Sequence, residues 1–281
     1  MPNLMWTWQE AAVIAGALAV GWGMLHWRRA FRRTQPFLRE SSLIIGLYAL
    51  WQFAGSLSGN GTYAAVGRGQ WIWNTERSAH LLSEHTVQGW ILPHPLIVQA
   101  ANLYYDTMHF TMMIVFLFWL FIRHRDAYPR WRTTLAILTA SCLLIQLIPV
   151  APPRMLPNLD MVDTAMKYGQ SVYGTVTGFR ADQLSAMPSV HVGWALLIAA
   201  CVYSVGTSRW RYIGIAHAVI TILVVVATGN HYWGDGIVSA ALLIAAFFAQ
   251  RGIRKLRQKR VTARKDLTKQ DVGRGGLVDV R

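Results

Sequence analysis

A chain of 281 residues that is 53% hydrophobic, holds 13 Trp and has a mean hydropathy of +0.29 is not composed like a soluble domain. That balance marks a polytopic membrane protein. A formal charge of +14 raises nucleic acid as a partner, but the way the charge is spread along the chain excludes that reading.

Seven apolar segments are expected as helices, each near the length needed to cross a bilayer: residues 11–27, 41–57, 96–122, 133–150, 188–205, 212–228 and 232–248. The second and seventh are short and carry polar residues. The expected fold is therefore all-α, a polytopic transmembrane helix bundle of about six to seven spans. The basic cluster "HWRRAFRR" follows the first apolar run, the reverse of the order in a cleavable signal peptide.

Segments 28–40, 123–132, 206–211 and 249–281 together hold 22 of the 27 Lys and Arg residues. Cytoplasmic loops collect such residues, which predicts the N-terminus outside and the C-terminus inside, with the plasma membrane as the expected location. Only Arg68, Arg77, Arg154, Lys167 and Arg180 remain on the outer side. Three regions are expected: N-terminal helices over 1–132 with an outer interfacial segment at 58–95, a core over 133–250, and a basic tail over 251–281. The tail is expected to be disordered and to be drawn to anionic lipid head groups. Cys142 and Cys201 fall inside apolar segments and read as small buried hydrophobes.

In the outer segment, "WNTERSAHLLSEH" repeats Glu76, His80 and Glu84 every fourth residue, which on a helix shares one face. Such a stripe can hold a metal, but the polar face of an interfacial helix is the commoner use. No metal and no cofactor are expected.

The topology carries three other fragments to the outer face. "APPR" ends the fourth segment, "AMPSVH" opens the fifth, and "GNHYWGD" joins the sixth to the seventh. Pro188 suits the first position of a helix, leaving the amides of Ser189 and Val190 at an N-terminus that favours an anion, with His191 in the first turn as a general acid. His231 and Asp235 are four apart, so the carboxylate can hold the Nδ1 proton and expose Nε2 as a nucleophile. Arg154 supplies a planar fork matched to phosphate oxygens. Ionisable residues in apolar surroundings are costly and need a reason. Phosphoryl transfer through a covalent phosphohistidine supplies one.

These fragments resemble the motifs of the type 2 phosphatidic acid phosphatase superfamily: an Arg-Pro segment, a Pro-Ser-Gly-His segment and a His-x3-Asp segment. The closer likeness is to the inositol phosphorylceramide synthase branch, the inositolphosphotransferases. The resemblance covers roughly 133–248 and, more weakly, "NLYYDTMHF". It implies His231 as nucleophile, Asp235 as its orienting partner, His191 as general acid, and Arg154 and Ser189 as phosphate binders. The phosphatase pattern places a Lys seven residues before the Arg and a Ser-Arg pair seven and six residues before the nucleophile, where this chain has Leu147, Val224 and Val225. Val190 stands in place of the usual Gly. Two phosphate-binding cations are thus missing, which favours the transferase branch.

Asp106 and His109, three apart in the third segment, read either as an interhelical hydrogen-bonded pair or as a polar wall for the lipid head group or acceptor. Tyr105, Lys167 and Arg180 are further candidates for substrate binding, and His217 reads as a helix-packing hydrogen bonder. The expected function is a membrane-embedded, metal-independent phosphotransferase that moves a phosphoryl-containing head group from a membrane lipid to an alcohol. The alternative is a lipid phosphate phosphatase of phosphatidic acid or prenyl phosphate type. A transporter is more remote, since its ionisable residues would be spread through the membrane depth. The oligomeric state stays open.

Overall fold

The computed structural model describes residues 7–57, 62–170 and 183–275, and the regular structure among them is helical. In chain order the helices are α1 (Trp8–Trp27), α2 (Gln35–Leu57), α3 (Thr62–Ser78), α4 (Glu84–Ile91) and α5 (Pro95–Arg123). They continue with α6 (Tyr128–Gln146), α7 (Thr164–Lys167), α8 (Val190–Val205), α9 (Tyr212–Ala227) and α10 (Trp233–Gly275).

Local chemistry sets several of the helix starts. Thr7 and Glu10 form a reciprocal capping box at α1, with Glu10 N–H donating to Thr7 Oγ1 over 3.2 Å and Thr7 N–H to Glu10 Oε2 over 2.8 Å. Pro95 and Pro129 occupy first-turn positions of α5 and α6, where the missing N–H costs nothing. Asp163 caps α7 and Ser189 caps α8.

Among the described residues, four stretches are long and apolar enough to cross a membrane: Trp8–Trp27, Pro95–Arg123, Arg209–Ala227 and Trp233–Lys259. Val190–Val205 is apolar but shorter. Their outward faces carry Val20, Ile114, Phe118, Ile122, Ile220, Leu223, Ile237 and Ile244, all exposed. Water would penalise such a surface and lipid does not. The chain is an integral membrane protein.

Three expectations are corrected. The fourth segment was expected to stay helical to 150, but α6 ends at Gln146, because Ile148 precedes Pro149 and that position disfavours helix. The tail from 251 was expected to lack structure, yet α10 runs on to Gly275. Its Lys, Arg, Gln and Ala residues are good helix formers that extend a helix already nucleated in the bundle. The Glu76, His80 and Glu84 stripe does not share a helix face. α3 stops at Ser78, His80 turns the chain with φ +56° and stays exposed, and Glu84 opens α4.

The bundle core joins α5, α6, α8 and α10 through Phe116, Leu117, Leu120, Trp131, Leu138, Leu197, Ile198 and Ala246, with the free Cys142 and Cys201 among them. Ala195, Ala199 and Ala218 let α8 and α9 approach closely. α1 and α2 form a hairpin tied by Ser42 Oγ donating to the Ala15 carbonyl over 2.8 Å. The hairpin meets the bundle where buried Glu40 takes Arg132 of α6 and its neighbour Arg39. A second cluster of Ala65, Ile72, Val150, Ala151, Leu156, Ala186 and Tyr232 sits beneath α3. It packs together the three polar fragments read from the sequence.

Candidate active site

Backbone bonds bring the three fragments together. Ala186 N–H donates to the Val150 carbonyl over 3.2 Å, and Arg154 N–H to the Gly229 carbonyl over 3.1 Å. The Tyr232 hydroxyl donates to the Ala151 carbonyl over 2.8 Å. Gly229 takes φ +68°, and a Cβ there would come within 3.1 Å of Arg154 Cβ. Both the turn into "NHYWGD" and the approach of the Arg154 segment therefore require glycine.

His231 is 4% exposed and Asp235 fully buried. Nδ1 of His231 lies 2.7 Å from the Ala186 carbonyl oxygen and 3.2 Å from Asp235 Oδ2. A carbonyl oxygen only accepts, so Nδ1 carries the hydrogen and Nε2 presents its lone pair. Nε2 is buried and has no hydrogen-bond partner among the described residues. The orienting partner expected from sequence is thus in reach, but the nearer acceptor is a backbone group that no sequence motif announces. Asp235 Oδ2 also accepts from Tyr232 N–H at 2.9 Å.

The His191 ring centroid stands 5.6 Å from that of His231, and its Nε2 is likewise buried without a partner among the described residues. His191 lies in the first turn of α8, which begins at Val190 with Ser189 as its cap, so Pro188 precedes the helix instead of opening it. Ser189 Oγ accepts from Val192 N–H over 3.3 Å, while its N–H faces the Asp235 carbonyl at 3.5 Å. Gln146 donates to the Pro188 carbonyl over 2.9 Å, and Ser239 to the Ser189 carbonyl over 2.8 Å. α6 and α10 in this way pin the turn that carries His191.

Tyr105 stacks on His191 with centroids 4.4 Å apart and planes 17° apart, and His109 lies 4.0 Å from His191. Nδ1 of His109 faces the Tyr105 carbonyl of its own helix at 3.3 Å, and across the bundle its ring meets His191 and, at 6.1 Å, Trp194 of α8. Asp106 is half-buried on the same helix. His217 bonds the Tyr104 hydroxyl at 2.6 Å, linking α9 to α5 as a packing residue.

Arg154 has a side chain only 3% exposed. Its Nε donates to Asp163 Oδ2 over 3.2 Å, and its guanidinium also bonds Asn230 Oδ1. Asn230 and Asp163 are site residues that sequence reasoning missed. Asn230 directly precedes His231, whereas Asp163 lies in a segment with no motif, nine residues after Arg154. The Asp163 segment is anchored by buried Gln88, which bonds the Val162 N–H over 2.8 Å and its carbonyl over 3.0 Å, and by Asn102, which accepts from Thr164 at 2.8 Å. Lys167 is exposed at the end of α7 with its ammonium 5.7 Å from the Tyr168 ring. Arg180 lies outside the described residues.

Among the described residues no three His, Cys, Asp or Glu side chains are grouped to hold a metal ion. A buried His–Asp pair, a second imidazole beside it and an arginine bonded to Asp163 and Asn230 are thus set together among the apolar helices of a membrane protein. The family model described as PAP2 superfamily matches residues 70–249. The chain belongs to the PAP2 superfamily, whose members are generally phosphatases or phosphotransferases acting on lipid-like substrates. No curated protein and no solved structure matches the chain.

Proposed function

We propose that the chain is a metal-independent phosphotransferase of the inositolphosphotransferase type, taking a phosphoryl-containing head group from a membrane lipid to an alcohol. The observation that carries this reading is a pair of imidazoles with centroids 5.6 Å apart, His231 buried and His191 half-buried, each with an Nε2 that has no hydrogen-bond partner among the described residues, and His231 fixed through Nδ1 by Ala186 and Asp235.

His231 Nε2 attacks phosphorus, forming the P–N bond as the P–O bond to the lipid alcohol breaks. The departing oxygen takes its proton from His191. The acceptor hydroxyl then gives its proton to His191 as its oxygen attacks phosphorus, and the P–N bond returns its electron pair to His231. Arg154 and the first turn of α8, with Ser189, hold the phosphate oxygens. Tyr105, Asp106 and His109 line the head-group side, and Lys167 and Arg180 stand as outer cations. The leading and following regions divide as 1–132, 133–250 and 251–281, with six to seven spans. The N-terminus is outside the plasma membrane, the site at the outer face and the C-terminus in the cytoplasm, a reading supported by 22 of 27 cations falling on one side.

Leu147, Val224 and Val225 stand where phosphatase relatives carry cations and serine, and Val225 is buried against Val87, Val192 and Val226. A phosphomonoester carries about 1.5 to 2 negative charges and asks for more fixed cations than a diester. Diester donors are therefore preferred. Purified protein offered phosphatidylinositol, phosphatidic acid and a prenyl monophosphate, with and without candidate alcohols, tests this by product mass. Faster hydrolysis of the monoesters, with no transfer product, replaces the transferase by the phosphatase.

A further inference from the structure

The outer hairpin of α3 and α4 carries two glutamates that the mechanism does not use. Glu76 is 4% exposed and Glu84 fully buried, an expensive placement for carboxyl groups. Both face the start of α10. Gly234 N–H donates to Glu76 Oε1 over 2.6 Å, and Trp233 N–H to Glu84 Oε1 over 3.4 Å. Tyr232 N–H is taken by Asp235 itself. The free amides at the head of α10 are thus capped by three carboxyl groups, two of them brought from more than a hundred residues away in the chain. The Trp233 indole adds a bond to the Leu82 carbonyl at 2.8 Å, in the turn between α3 and α4.

We propose that Glu76 and Glu84, bridged by Arg77, are positioning residues: they hold the first turn of α10 so that Asp235, in that turn, meets His231 in register. The proposal rests on His231 as nucleophile. Its geometry is specific. Each glutamate gives one oxygen to an α10 amide and turns the other, Oε2, toward Arg77, at 3.6 Å for Glu76 and 3.5 Å for Glu84. Neither Oε2 has a hydrogen-bond partner among the described residues. A proton on Glu84 donated to the Glu76 carboxylate satisfies both. Burial, then the adjacent Glu76, raises the Glu84 carboxyl to about 9, against the pull of Arg77. The other titratable groups facing the pair are Tyr232 and Asp235, both on the α10 side. Gly234 completes the fit, since a Cβ there would stand 3.1 Å from Glu76 Oε1.

The assay is kcat and KM with phosphatidylinositol and with phosphatidic acid, whichever turns over, on full-length protein in micelles. Glu84→Gln keeps an acceptor for Trp233 and a donor for Glu76. It should stay within about threefold of wild type, whereas Glu84→Leu, which keeps neither, should lose tenfold or more in kcat with KM nearly unchanged, the signature of misplaced reacting groups. Gly234→Ala, which is compatible with helix, should lower kcat in the native background and have no further effect in a Glu76→Ala background. Glu84→Leu with wild-type kcat overturns the proposal. So does Glu84→Gln as damaged as Glu84→Leu, or a fall in thermal midpoint with kcat per folded molecule unchanged. Should Glu84→Leu not fold, the Gly234 and Glu76 pair decides, and additive losses reject coupling. A fully active His231→Ala removes the nucleophile reading and this one with it. An inactive His231→Ala beside an unaffected glutamate pair removes this one alone.

Discussion

Asp235→Asn separates two jobs that a carboxylate can do for an imidazole. Where an aspartate alone selects the tautomer, its conversion to asparagine costs about 10⁴ in kcat, because the ring flips its proton to the wrong nitrogen. Here the Ala186 carbonyl lies closer to Nδ1 than Asp235 does, 2.7 Å against 3.2 Å, and it cannot donate, so the tautomer survives the substitution. An asparagine oxygen in the place of Oδ2 still accepts from Tyr232 and from His231, and only the charge is lost. A hydrogen bond to a charged group contributes about 1.5 to 3 kcal/mol. At about 1.4 kcal/mol per decade of rate, kcat should fall on the order of 10- to 100-fold. The measurement is single-turnover formation of an acid-labile phosphoenzyme, with thermal midpoint as the control for folding. A loss of 10⁴ in folded protein would show that Asp235 sets the tautomer. An unchanged rate would show that its charge is not used.

His231→Ala should give no phosphoenzyme, while His191→Ala should still form one from a donor with a good leaving group, such as a nitrophenyl ester, and then stall in transfer to an alcohol; rapid-quench trapping distinguishes them. Thermal stability should also depend on pH through Glu84. Its carboxyl is raised from 4.5 to about 9, so the folded state binds more protons between those values. The stabilisation is complete below pH 4.5 and is lost as pH rises toward 9; the midpoint should fall over that range in the native protein and fall less in Glu84→Gln. Single-cysteine labelling in a background lacking Cys142 and Cys201 should find Asn158 reachable from outside and Thr262 only after permeabilisation; the reverse pattern inverts the orientation.

Much of the site was legible because its side chains are costly in apolar surroundings and sit at the ends of apolar runs: His191, His231, Asp235 and Arg154 stood out on those grounds. The unreadable parts were of other kinds. The Ala186 carbonyl is backbone, and any residue could have supplied it. Asp163 meets Arg154 only because Gln88 and Asn102 fold the intervening segment back, a long-range packing event with no local period. The repeat of Glu76, His80 and Glu84 is visible in the sequence, but a period of four implies one face only while the helix continues, and His80 at φ +56° ends it. The glutamates meet again across the turn, against a helix more than a hundred residues later.

The unbroken course of α10 changes what the basic tail can feel. Its 43 residues span about 65 Å at 1.5 Å each, roughly twice the hydrocarbon thickness of a bilayer. A continuous helix leaves the bilayer along the axis on which it crosses, so the tail becomes a stalk, not a carpet on the head groups. At physiological salt the surface potential decays over about 8 Å, or some five residues of helix. Arg251, Arg254 and Lys255 lie within about that distance of the last apolar turn at Phe247 and Phe248, and the helix continues well past it to Gly275. The expected attraction to anionic lipid would then draw on the first few of the tail's cations, the later ones standing off the surface.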